Sequence, residues 1–293
     1  MRRRPLPVAV AAAAALALTA CAPQGEESGS AAGSSSPAGT TADECAPQSL
    51  ETLEPGTLTI ATDQPAYEPW VVGDAPESGE GFEAAVAYAV AEQLGYSEDQ
   101  VTWTRVPFNA AIQPGERPFD FDINQFSITE ERRQAVDFSS PYYTVSQAVI
   151  TTAGSAADGA AAIDDLKGLR IGAQVATTSL DALEQVIDPD TDPVVFNSND
   201  DAKLALQNGQ VDAIVVDLPT AFFITAAELD DGVIVGQLET PDEGGDQFGL
   251  LLEKDSPLTD CVTRAVDALR DDGTLADLEQ EWLADVADAP VLS

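Results

Sequence analysis

Short apolar runs of strand character alternate with helical stripes along most of this chain, and several of the runs stop at a polar residue. Residues 57–61 (TLTIA), 101–106, 119–125 and 143–152 read as strands. Between the first two, Phe82, Val86, Ala89, Val90 and Leu94 mark a helical stripe closed by Gly95. A break in composition at 154–162 (GSAADGAAA) is followed by the same rhythm. Strands are expected over 169–175, 194–197 and 211–217, and helices over 179–186, 201–207 and 219–228, with Pro219 suited to a first turn. A strand over 247–253 and helices over 258–269 and 275–283 complete the series. Alternation of this kind predicts an α/β fold of parallel sheets covered on both faces, and two halves of similar rhythm predict two lobes. In open α/β sheets ligands settle outside the carboxyl ends of the strands. Asp63, Gln125 and Asp217 stand at three such ends and can converge on one cleft.

The first residues carry an arginine-rich start, an apolar run too short for a stable span, and the sequence Leu18-Thr19-Ala20-Cys21. Residues 1–20 are expected to be an export signal. Leu-x-Ala-Cys resembles the lipobox of bacterial lipoproteins, which implies that Cys21 is lipidated and holds the protein at the extracytoplasmic face of the cell membrane; the alternative is an ordinary signal peptide cut nearby. Residues 21–44, rich in Gly, Ser, Ala, Thr and Pro, cannot bury enough apolar surface to offset their ordering entropy, and read as a tether with a typical span of about 25 Å. No later run is long enough to cross a bilayer.

The chain has 13 basic and 51 acidic residues, a formal net charge of −38, which argues against nucleic acid as a partner and mildly favours cationic ligands. It contains no histidine, so a Ser-His or Cys-His triad is excluded and the commonest metal ligand is missing. Residues 79–84 (GEGFEA) fit a loose dinucleotide fingerprint, but no strand precedes them and their glutamates would repel a pyrophosphate. Residues 188–193 (DPDTDP) begin like a calcium loop, but Pro193 occupies the position that requires glycine. Both are read as loops, and no metal or cofactor is expected. With Cys21 set aside, Cys45 and Cys261 remain in a disulfide-permissive compartment, either as one bridge, the simpler reading, or as two buried thiols.

Residues 123–143 (INQFSITEERRQAVDFSSPYY) hold the most specific local pattern. Thr129 is expected to cap a helix that begins at Glu130, which leaves first-turn N–H groups free to attract an anion. Arg132 then sits at the unfavourable end of the helix dipole, where something negative should compensate it. The compensation is either Glu130 and Glu131 beside it or a ligand carboxylate gripped by the guanidinium.

Taken in order, TIATDQPAYEPW (59–70), GFEAAVAYAVAEQLGY (81–96), SITEERRQAVDFSSPYY (127–143), LKGLRIGAQVATTS (166–179), NGQVDAIVVDLP (208–219) and DDGTLADLEQEWL (271–283) resemble the polar amino-acid-binding proteins of ABC importers, solute-binding family three. The resemblance implies a two-lobed periplasmic-binding-protein fold of type 2, each lobe a mostly parallel sheet flanked by helices. Two crossover strands, 143–152 and 247–253, would join lobe one (45–148 plus 247–293) to lobe two (149–246). It further implies a monomer that binds a small amino acid, hands it to ABC permease subunits and catalyses nothing. A Cys45–Cys261 bridge would lie within lobe one and leave the hinge free.

Carried over residue by residue, Arg132 matches the arginine that clamps the ligand α-carboxylate, helped by Ser127 and, from the other lobe, Thr177 and Thr178. Asp217 matches the acid that receives the α-ammonium. Tyr67 and Phe108 match aromatic walls, and Asp63, Trp70 and Gln125 complete the expected site. Read as residues alone, Tyr67 and Phe108 also suit a core, Asp217 a helix cap, Ser127 a turn and Asp63 a surface position. Two departures stand out: Ala176 replaces the usual glycine before Thr177, and Gln125 occupies a place where a smaller residue is common. A dehydratase-like enzyme on the same fold and a ligand sensor without transport are the competing functions.

Overall fold

A computed structural model describes residues 44–239, 245–283 and 289–293. The expected leader, Cys21 and all of the tether except Glu44 lie outside the described residues.

Two sheets organise the chain. The first contains β1 (Leu58–Thr62), β2 (Val101–Arg105), β3 (Phe121–Asp122), β4 (Val136–Val145) and β10 (Asp246–Glu253), in the order β2-β1-β3-β10-β4. Strand β1 runs parallel to β2 and β3, whereas β10 is antiparallel to β3 and β4. The second contains β5 (Gln147–Thr152), β6 (Ile171–Gln174), β7 (Val194–Phe196), β8 (Ala213–Asp217), β9 (Gly232–Leu238) and β11 (Val291–Leu292), in the order β11-β9-β5-β8-β6-β7. The helices are α1 (Phe82–Gln93), α2 (Phe108–Ala111), α3 (Thr178–Ala182), α4 (Asn199–Gln207), α5 (Leu218–Phe223), α6 (Thr259–Asp271) and α7 (Thr274–Trp282). None of the described helices is long and apolar enough to cross a membrane.

Both faces of each sheet are covered, which is why the strands read as nearly continuous apolar runs. Leu58, Ile60, Phe121, Ile123, Leu250 and Leu252 pack with α1 and α6 on one face of the first sheet, while Ala61, Val106, Phe126, Phe138 and Leu251 pack on the other. In the second sheet the strand period of two divides Ala148, Ile150, Ile214 and Val216 from Val149, Ala213 and Val215. Helix α1 ends as its sequence predicts: Gly95 takes φ +84°, and Tyr96 N–H returns to Ala91 O at 2.9 Å.

Five expected elements take a different form. The strand expected over 119–125 contracts to two residues. Asp120 spends its carboxylate on the N–H groups of Leu53 and Thr59, at 2.8 and 2.7 Å, and Gln125 turns into the left-handed region at φ +47°. The run 143–152 divides at Ser146, because β4 begins as early as Val136 and Gln147 already belongs to the second sheet. The helix expected from Glu130 is a single 3-10 turn at Arg132–Gln134, since β4 starts two residues later. The helices expected over 179–186 and 219–228 each begin as α and finish in a π turn, at Leu183–Ile187 and Ile224–Glu228. Strands β9 and β11 lack a strong alternating signal and were not expected. Parallel pairing of Val291 and Leu292 with Gln237 and Leu238 puts residues 291–292 in the second sheet, correcting the expectation that all of 247–293 accompanies the first.

Cys45 and Cys261 form a disulfide across 216 positions, so the alternative of two free thiols is set aside. Both residues pack on the first-sheet core, where the bridge fastens the N-terminal segment to α6. Closing so long a loop removes denatured-state entropy worth about 5 kcal/mol in the chain-entropy model, near the top of the measured range. Replacing both cysteines by alanine is expected to lower the calorimetric unfolding midpoint by roughly 10 °C. An unchanged midpoint would show that the bridge contributes nothing.

Candidate ligand-binding site

The ends of β1, β3, β6 and β8 and the start of α3 meet around a cavity of about 30 Å³. Nine of the ten expected ligand residues line it: Asp63, Tyr67, Phe108, Gln125, Ser127, Arg132, Thr177, Thr178 and Asp217. Trp70, expected in the site, does not line it. It is fully buried behind the cavity, its ring set edge-on against Tyr143 and Phe248 at 5.8 and 5.7 Å. Its indole N–H donates to Thr220 Oγ1 at 2.9 Å. The reason lies in the backbone, because Trp70 O caps α1 by accepting from Glu83 N and Ala84 N at 2.9 and 3.3 Å. Gly81 permits this approach, since a Cβ there would lie 2.5 Å from Trp70 O. Asn124, Gln174, Ser179 and Asn199 also line the cavity and were not anticipated. Gln174 obeys the strand-end rule that flagged Asp63 and Asp217, and Asn124 and Ser179 adjoin predicted residues, so those signals were present.

Arg132 is held from both sides of the cleft. Its Nη1 donates to Ser127 O at 2.7 Å and its Nη2 to Ala176 O at 2.8 Å. The guanidinium carbon lies 5.5 Å from the centre of the Phe108 ring, which in turn stacks on Phe126 at 4.8 Å. Thr129 Oγ1 accepts from Arg132 N at 3.1 Å, so the capping bond exists although the helix does not. Glu130 pairs with Arg133 and not with Arg132. Among the described residues no carboxylate forms an ion pair with Arg132, and its two hydrogen bonds use two of five N–H donors. Ala176, the departure from glycine, still adopts the left-handed conformation at φ +62°, and this aims its carbonyl at the guanidinium. Ser127 and Thr178 complete the approach of the two sides, their hydroxyl oxygens 3.0 Å apart.

Acids gather opposite this cation. Asp63 is tied to the loop, accepting from Gln64 N at 2.6 Å and Phe108 N at 3.1 Å. Asp217 accepts from Gln147 Nε2 at 2.8 Å. Burial pushes its carboxyl up to about 7, helped by the Asp246 and Glu83 carboxylates and opposed by the Gln147 hydrogen bond and by Arg132. Glu83, fully buried beneath Gln125, is pushed up to about 7 by burial against hydrogen bonds from Tyr142 and Gln125. Those bonds hold Gln125 in its left-handed turn: its N–H donates to Glu83 Oε1 at 2.7 Å, and its side-chain amide donates to Oε2. Asp122 is fully buried with no protein partner for either oxygen, and burial raises it well above the usual carboxylate range. Tyr67 lies near Asp200 and Ser198, and burial raises its phenol. No group of His, Cys, Asp or Glu suited to a metal ion occurs among the described residues.

A two-sheet molecule with one unpaired guanidinium and several acids around a cleft defines a solute-binding protein. Residues 58–285 match the model of the bacterial extracellular solute-binding proteins, family 3, and the chain belongs to that family. It is 26% identical over 239 residues to the L-arginine-binding protein of Pseudomonas aeruginosa, a match covering 77% of this chain and 90% of that protein. It is 29% identical over 242 residues to the L-cystine-binding protein TcyJ of Escherichia coli K12, covering 80% and 85%. A solved ancestral arginine-binding protein bound to arginine superposes with a TM-score of 0.64 at 29% identity, covering 78% of this chain and 98% of that one. The fold is that of the type 2 periplasmic binding proteins.

The raised acids have a thermodynamic consequence. Glu83 and Asp217 hold their protons more tightly folded than unfolded, from ordinary values of 4.5 and 3.8 up to about 7. Folding therefore takes up protons in that window, and stability falls as pH rises through it. Asp122, Asp120 and Asp181, also raised, act in the same direction. Urea denaturation of the ligand-free protein is expected to show greater stability near pH 5.5 than near pH 8.5. Glu83→Gln should shrink that difference, by about 2 kcal/mol across this pH range for a carboxyl raised this far. An equal difference in the variant would mean that Glu83 does not carry this proton.

Proposed function

We propose that this chain captures a polar L-amino acid between its two sheets at the extracytoplasmic face and delivers it to the permease of an ABC importer. In this reading it works as a monomer anchored through lipid on Cys21, with the first-sheet side moving against the second-sheet side. The observation that carries the reading is Arg132, a guanidinium held by carbonyls from both sides of the cleft with no carboxylate partner among the described residues. A zwitterion completes this arrangement: its carboxylate takes the remaining guanidinium donors, and its ammonium neutralises Asp217.

The distribution of charge favours a cationic side chain. Asp63 lines the cavity, and Glu83 and Asp122 lie behind it. A ligand bearing a second carboxylate would meet these acids without a second arginine to offset them. The L-arginine-binding relative agrees with this chemistry, which makes L-arginine the first compound to test. A cavity of 30 Å³ holds a few waters but not an amino acid, so the two sides must part before a ligand enters. Arrival between two hinged lobes followed by closure meets that requirement.

Isothermal calorimetry with L-arginine tests the site. Arg132→Ala is expected to weaken binding by at least ~100-fold, about 3 kcal/mol, while leaving the unfolding midpoint nearly unchanged. Unchanged affinity would remove Arg132 from the site. Recovery of the ligand unaltered after prolonged incubation separates a receptor from a dehydratase, and loss of amino-acid uptake on deleting this chain separates it from a sensor.

A further inference from the structure

Gln147 is fully buried at the first position of β5, one residue past the Ser146 passage from the first sheet to the second. Its amide is engaged at both ends. The carbonyl Oε1 accepts from Ser179 Oγ at 2.6 Å, and Nε2 donates to Asp217 Oδ1 at 2.8 Å and to Asp246 Oδ2 at 2.9 Å. A third approach, to Thr178 Oγ1, is longer at 3.4 Å. An amide nitrogen carries two protons, so each carboxylate takes one. Asp246 opens β10, where the chain has returned to the first sheet. The residue before it, Gly245, has φ +86°, and a Cβ there would stand 2.5 Å from Val145 O, so the two passages press together at this point. One side chain thus touches the second passage, the start of α3 and the end of β8.

We propose that Gln147 is a positioning residue for ligand capture. By giving one amide proton to each of Asp217 and Asp246, it fixes the ammonium-receiving carboxylate at the junction of the two passages and sets the charge that a ligand meets there. The ligand half of this statement rests on the proposed role of Asp217; the electrostatic half does not. Two carboxylates on one nitrogen repel each other, and the two amide protons of Gln147 offset part of that repulsion. The other groups facing Asp217 are Glu83 from α1 and Arg132, with the Tyr142 and Tyr143 phenols of β4 also within its field. Removing the Asp246 charge therefore lowers the pH at which Asp217 takes up a proton, and removing the Gln147 donor raises it.

The test uses the exported protein with ¹³C-labelled aspartate carboxyls, the Asp217 signal being assigned by its loss in Asp217→Asn. In the ligand-free protein Asp217 is expected to titrate at about 7. In Asp246→Asn the midpoint is expected about one pH unit lower, and in the volume-matched Gln147→Met about one higher. Calorimetry with L-arginine in parallel is expected to give roughly tenfold weaker binding for Gln147→Met at neutral pH, recovering as pH rises. Asp246→Asn should hold its affinity about one pH unit further into acid than the parent. A merely structural Gln147 would weaken binding by one factor at every pH and leave the midpoints where they were, which overturns the inference. If the midpoints move but no protein binds L-arginine, the shared amide is upheld and the ligand assignment fails. If the parent binds L-arginine while the midpoints stay fixed, the ligand assignment survives and this inference does not. Should Gln147→Met fail to fold, the midpoint in Asp246→Asn decides alone.

Discussion

A guanidinium bridging two backbone carbonyls is the interaction on which the cavity depends. Arg132 takes Ser127 O from the first-sheet side and Ala176 O from the second, so a single side chain registers the distance between them. Carbonyls orient the guanidinium without neutralising it. A partner carboxylate from the protein would have satisfied the cation and made the site inert to a ligand acid. Phe108 beneath the guanidinium, stacked in turn on Phe126, supplies a further contact that leaves the charge uncancelled. Position is thus fixed by neutral contacts, and the charge is left available.

The acids around the cleft are governed by the opposite rule. Asp217, Glu83 and Asp122 are raised because burial removes water from them, and neighbouring carboxylates add to the rise of Asp217 and Asp122. Glu83 nevertheless receives three hydrogen bonds, from Tyr142, Gln125 N–H and the Gln125 amide, and Asp217 receives one from Gln147. Those donors are neutral, so they reduce the penalty on each charge without cancelling it. The same bonds shape the backbone: Glu83 stabilises the left-handed Gln125, which follows β3 and turns the chain toward Ser127 and Arg132. Electrostatics and geometry are therefore linked through one buried carboxyl.

Much of this was legible in the sequence because strand ends and helix stripes are periodic features. Asp63, Gln125 and Asp217 followed from the rule that ligands gather where strands end, and all three line the cavity. The capping role of Thr129 was readable, but the length of its helix was not. A cap sets where a helix begins, whereas here β4 pairing from Val136 decides where the chain must be extended. Trp70 was misplaced because an aromatic near a strand end looks the same whether it faces a ligand or a core. Only the close approach allowed by Gly81 fixes its direction. Gln147 carried no signal, since a polar residue inside an apolar run resembles any strand residue until its long-range partners, Asp217 and Asp246, are known.

Polar contacts join the two sides at the cleft. The Trp70–Thr220, Ser127–Thr178 and Arg132–Ala176 contacts are single hydrogen bonds of 2.9, 3.0 and 2.8 Å, each modest in net value because water replaces it when the sides part. None is an ion pair, so separating the sides strands no buried charge pair. The described residues at the two passages, by contrast, are tightly constrained, with Gly245 against Val145 and Gln147 between two carboxylates. Weak contacts at the cleft thus lie in front of a constrained junction. The balance between open and shut then depends on whatever offsets the unpaired Arg132 and the raised Asp217 together. A dipolar guest does both at once, whereas a lone anion or a lone cation offsets only one of them.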